Sequence, residues 1–145
     1  QVLGIFSGKI LNWKEVGGND ERIRVVVRDQ NDATTMAMRN RMPGWKDLVF
    51  LERSKQTLST TEMLESVRST QGAIGYCPYA KPLEAAVHYI AVDGVGPTDQ
   101  GWAVSVLLSL LHKTSTVNSD ALAFLAFAKT ARGQAMLKAS GGRVD

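Results

Sequence analysis

The clearest apolar pattern in the chain begins at Ile23, where Ile23, Val25, Val26 and Val27 make a β-branched run with only Arg24 between them. Such a run predicts a buried strand over Ile23 to Arg28. Asp32 followed by Ala33, Thr34, Thr35 and Met36 reads as a helix opening at a capping residue, which runs to about Arg41 before Pro43-Gly44 ends it. Upstream, Leu3 to Trp13 places Ile5, Phe6, Ile10 and Trp13 on either side of a Ser7-Gly8 break, so its first part reads as a helix end stopped by Gly8. Glu15 to Arg22 is a turn-rich connector. Trp45 to Leu51 is apolar enough for a helical turn or a strand.

Downstream, Ser59 or Thr60 caps a helix in which Met63, Leu64 and Val67 share one face, while Glu62, Glu65 and Arg68 share the other. Gln71-Gly72 closes it, Ala73 to Tyr76 predicts a strand, and Val87 to Val92 predicts another ending at the turn Asp93-Gly94. Trp102 to His112 fits either a strand or an apolar helix. Ser119 is expected to cap a final helical region bent at Gly133 and stopped by Gly141-Gly142. Its Leu122, Phe124, Leu125 and Phe127 are apolar on more than one face, which implies burial or a partner surface. Strands alternating with helices, without repeats or low-complexity linkers, imply an α/β sandwich with a largely parallel sheet.

The passage from strand to helix at Arg28 to Thr34 is the candidate site. The first N–H groups of a helix point outward and carry the positive end of its dipole, so an anion placed there meets backbone donors and the Arg28 guanidinium together. The plain alternative is one β-loop-α unit of an ordinary α/β domain.

Composition narrows the classes. At 145 residues with 44% hydrophobic and 21% charged residues, the chain has the make-up of one globular domain. A net charge of +3, from basic residues scattered among acids, does not indicate a nucleic-acid surface. The longest apolar run, Val104 to Leu111, carries two serines and falls far short of the ~20 residues needed to span a bilayer. A single cysteine, Cys77, excludes an internal disulfide. The chain begins at Gln1 and shows no signal-peptide pattern, which suggests a mature or trimmed fragment.

Four blocks then add up to a resemblance. IFSGKILNWKEVGG from Ile5, IRVVVR from Ile23, QTLSTTEMLESVRSTQGAIGY from Gln56 and AFLAFAKTARGQAMLKASG from Ala123 resemble, in order, the phosphate-binding proteins of ABC transporters. The resemblance implies the type II periplasmic-binding-protein-like fold, whose lobes are three-layer α/β sandwiches closing on an oxyanion. On it, residues from about 5 to 100 correspond to the second lobe and 101 to 145 to a segment returning to the first. The apolar last helix would then face a missing partner, which raises the possibility of a homodimer through that exposed face.

The family's ligand loop reads Arg, three residues, then Ser-Gly-Thr. Arg28 matches the arginine and Thr34 the threonine, while Asp32 stands at the serine and Ala33 at the glycine. Three outcomes stay open: a lobe with a different or lost ligand and Asp32 as a helix cap; anion binding with Asp32 turned away; or a carboxylate that recognises a cationic or hydroxyl-bearing solute. Ser59 and Thr60 are further candidates to offer hydroxyls to the same crevice, with a helix cap as the alternative.

Cys77, His88 and His112 lack the spacing of a metal site or a nucleophile with its base, so no catalysis, metal or cofactor is expected. The reading is a bacterial periplasmic or extracellular solute-binding domain, a candidate phosphate binder serving an ABC-transporter permease. The alternative is a sensor or dimerisation module, partnered by a fused signalling domain, that has lost its ligand.

Overall fold

In the computed structural model, which describes residues 1–144, three strands form a parallel sheet in the order β2-β1-β3. They are β1 (Arg24–Arg28), β2 (Lys55–Thr57) and β3 (Ala73–Ile74). Val26 lies opposite Lys55 and Arg28 opposite Thr57 on one side of β1, and Arg24 opposite Ala73 and Val25 opposite Ile74 on the other. Parallel neighbours require long crossovers. α2 (Ala33–Arg41) and an irregular stretch connect β1 to β2, and α3 (Thr60–Ser69) connects β2 to β3.

Alternation along β1 divides its valines between two cores. Val25 and Val27 join Phe6, Trp45 and Tyr76 in an apolar cluster that also holds Ile5 and Ile23. Phe6 and Ile5 come from the short helix α1 (Val2–Phe6). The rings of Phe6, Trp45, Phe50 and Tyr76 meet at centroid separations of 5.1 to 6.3 Å, in tilted, edge and stacked pairs. Val26 is buried on the opposite face, where α3 packs and Met63 is 1% exposed. Placing α3 against all three strands while the aromatic cluster fills the other face gives the layered α/β arrangement expected.

The helix ends agree closely with the residues expected to set them. Asp32 caps α2, Ser59 caps α3 and Gly8, at φ 76°, follows α1. Elsewhere the structure corrects the sequence. Val87 to Val92 forms no strand; Val92 makes one isolated bridge, to Val95, around the Asp93-Gly94 turn. A strand exists only where a neighbouring backbone accepts its ladder, and residues 87–92 pair with neither open edge of the sheet, β2 or β3. Neither Trp45 to Leu51 nor Trp102 to His112 becomes regular. The first is held instead by side-chain packing and by Arg39, whose guanidinium donates to the carbonyls of Trp45, Lys46 and Leu48.

By its contacts the chain divides into two units, Gln1–Pro78 with Ala85–Val106, and Tyr79–Glu84 with the chain from Leu107 onward. The second contains α4 (Ser119–Ala128) and α5 (Ala131–Ala139), which pack on each other. Asn118, not Ser119, caps α4, its side chain accepting from the Ala121 N–H at 2.9 Å. The expected single bent helix is two helices, because the Thr130 side chain accepts from the Gly133 N–H and restarts the spiral as α5. Leu122 and Phe124 on α4 are half exposed. Among the described residues, no helix is long and apolar enough to cross a membrane.

Candidate functional site

Arg28 ends the central strand with its side chain only 7% exposed, a costly place for a guanidinium unless its protons are matched. The turn that follows is closed by Asp29: its backbone carbonyl accepts from the Asp32 N–H at 3.0 Å and its carboxylate from the Asn31 N–H at 2.9 Å. The Gln56 amide holds the same carboxylate from β2 at 3.1 Å. This tight turn brings the start of α2 back beside Arg28.

Asp32 occupies the junction. One carboxylate oxygen accepts from the N–H groups of Thr34 and Thr35, at 2.9 and 3.4 Å, and the other from the Arg28 guanidinium at 2.5 Å. Burial acting alone would raise its pKa. Hydrogen bonds from Arg28 and Thr34, with the charge of Arg28, outweigh that effect and hold the carboxyl below its usual value. Asp32 is therefore ionised at neutral pH. A second unit anion about 4 Å away would meet a repulsion of about 4 kcal/mol at an effective dielectric near 20.

The remaining protons of Arg28 are less well served. Another guanidinium nitrogen reaches Thr60 Oγ1 at 3.5 Å, the outer limit of a hydrogen bond, and its buried Nε has no hydrogen-bond partner. Arg28, Asp32, Thr34 and Thr60 are thus gathered at one end of the sheet. Ala33 is exposed and brings no side-chain donor. The Ser59 hydroxyl accepts from the Glu62 N–H at 3.1 Å, which is the helix-capping role.

Tyr76 and Thr35 also belong to this cluster and were not singled out by the sequence. The Arg28 N–H donates to the Tyr76 hydroxyl at 3.2 Å, and that hydroxyl lies 2.8 Å from Thr35 Oγ1, within a buried pair. Burial pushes the Tyr76 pKa up, with the Thr35 and Arg28 hydrogen bonds opposing it, so the phenol stays protonated. It ties the end of β1 and the first turn of α2 to the aromatic core. Register brings it there, since Ile74 pairs with Val25 and Tyr76 two residues on comes level with Val27, a placement that no local sequence pattern carries.

Cys77 is half-buried, and burial pushes its thiol pKa up, the reverse of what a nucleophile needs. Among the described residues no three His, Cys, Asp or Glu side chains gather as a metal-ion set.

A family model described as a PBP superfamily domain matches residues 1–123. The chain belongs to the PBP superfamily. Within that superfamily, it is 31% identical over 94 residues to the phosphate-binding protein PstS of Bacillus subtilis (strain 168), covering 64% of this chain and 30% of that protein. It is 23% identical over 150 residues to the PstS of Borreliella burgdorferi, covering 94% of this chain and 54% of that protein.

A crystal structure with bound phosphate, of a Clostridium perfringens protein named as a phosphate ABC transporter substrate-binding protein, superposes with a TM-score of 0.78 at 28% identity. That match covers 95% of this chain and 58% of that one. An ABC-type phosphate transport receptor from Vibrio cholerae shares the fold with a TM-score of 0.61 at 24% identity, over 95% of this chain and 59% of the receptor. The chain spans less than two thirds of the length of each of these proteins.

Proposed function

We propose that this chain is part of an extracytoplasmic solute-binding protein that captures an oxyanion, with phosphate the leading candidate, for an ABC-transporter permease. The observation that carries the reading is Arg28: a guanidinium 7% exposed, at the end of the central strand and beside the first turn of α2, with its Nε unpaired. Buried cationic donors are stable when matched by acceptors, and an oxyanion supplies several from one point. Arg28, the Thr34 N–H and the Thr60 hydroxyl would furnish donors, while Asp32, Ala33 and Ser59 shape the two helix starts around them. The phosphate-binding names of the relatives support the choice of ligand and of a periplasmic or extracellular setting.

The unit containing the sheet would be the second lobe of a two-lobed receptor. The chain from Leu107 onward would be the segment returning to the other lobe. Leu107, Leu108 and Leu111, 83 to 94% exposed, support an origin against another surface.

An NMR titration with inorganic phosphate tests the site. Amide signals of Arg28, Thr34 and Thr60 are expected to move together at millimolar phosphate and to stay fixed in Arg28→Gln. Movement of equal size in Arg28→Gln would place the anion elsewhere and overturn the assignment.

A further inference from the structure

The donors that make this corner attractive to an oxyanion already hold an anion that belongs to the chain. Asp32 bridges the guanidinium of Arg28 and the first free N–H groups of α2, with oxygens at 2.5 Å from the one and 2.9 Å from the Thr34 nitrogen. A helix start paired with a buried cation is the arrangement that binds phosphate and carboxylate groups. Here both donor types converge on one carboxylate of the same loop. What is left over, the unpaired Nε and the long contact to Thr60, is the part of the guanidinium that Asp32 does not reach.

From this geometry we infer that Asp32 is a built-in occupant of the anion subsite, and that a solute oxyanion binds Arg28 and the start of α2 only by displacing it. The inference rests on the oxyanion reading of the site and adds what sets its affinity. A side chain tethered four residues from its cation competes at a high effective concentration, because it never leaves the neighbourhood. It also brings a full negative charge to the approach of a phosphate. Both effects lower the affinity, so the wild-type chain is a weak binder by construction, and its affinity is set by one side chain that does not itself hold the solute.

Calorimetric titration of inorganic phosphate into the wild type, Asp32→Asn and Asp32→Ser at pH 7.5 tests this. Asn and Ser are both strong N-cap residues, so the start of α2 keeps its acceptor while the competing charge is removed. Both variants are expected to bind phosphate at least about tenfold more tightly than the wild type, and the gain should vanish when Arg28→Gln is added. Equal or tighter binding by the wild type overturns the displacement and leaves the oxyanion site standing. Absence of binding by all three overturns both. A measurement on the unaltered chain does not depend on the variants folding. The Asp32 carboxyl carbon resonance should move toward that of a solvated carboxylate as phosphate saturates the Arg28 amide shift. A stationary carboxyl signal across that titration would show that phosphate binds without displacing Asp32.

Discussion

Asp32 uses its two carboxylate oxygens differently, one on the helix start and one on Arg28, and its negative charge strengthens both bonds. Its pKa is lower in the folded chain than the ordinary 3.8. The unfolded chain therefore takes up the proton first as pH falls, so Asp32 contributes its full stability above pH 3.8 and loses it as pH drops through the lower folded value. Urea unfolding from pH 7 to pH 3 should show the gap between wild type and Asp32→Asn closing below about pH 4. Parallel profiles over that range would remove Asp32 as a source of acid sensitivity. The order of residues made Arg28 and the Asp32 cap legible, since both follow from a β-branched run ending in a cation and a capping residue before a helical stretch. It did not reveal that one carboxylate would serve both partners. That depends on the turn through Asp29, whose closure by Gln56 comes from another strand.

At the scale of elements, α2 and α3 begin where their capping residues stand, because a cap is a local hydrogen bond and local bonds are written in neighbouring residues. Strands need partners, and Val87 to Val92, although right in composition, does not run along either open edge of the sheet. The break between α4 and α5 is local as well, set by the Thr130 cap, and the residue that lets the two helices turn so closely is Gly133. Gly133 lies in the first turn of α5, where an added Cβ would press into the Phe127 carbonyl oxygen and come within 3.0 Å of the Ala128 Cα. Both are backbone atoms and cannot rotate away. Alanine ordinarily favours a helix over glycine by up to about 1 kcal/mol. Here Gly133→Ala is expected to destabilise the chain instead, by roughly 1 to 3 kcal/mol from overpacking. Thermal or urea denaturation reads the sign directly, and a more stable Gly133→Ala variant would contradict the close approach of α5 to the end of α4.

Across the whole molecule, order and exposure are unevenly distributed. The sheet and its aromatic cluster bury their residues, whereas residues 103–112 carry no helix or strand and include Leu107, Leu108 and Leu111 at 83 to 94% exposure. Exposed irregular backbone is what a protease binds. Brief digestion with chymotrypsin should cut first between Leu107 and Leu111 and leave β1 intact; a first cut within residues 23–28 would contradict this distribution of stability. The parallel sheet has a further consequence, for kinetics. Arg28 meets Thr57 and Arg24 meets Ala73 across long stretches of chain, so the loops between them must close before either pairing is rewarded. Arg28, Thr60 and Tyr76 acquire their mutual positions only when both closures are complete. The corner around Arg28 is therefore complete only when the sheet is, and an anion bound there would slow the unfolding of the sheet-containing unit as a whole.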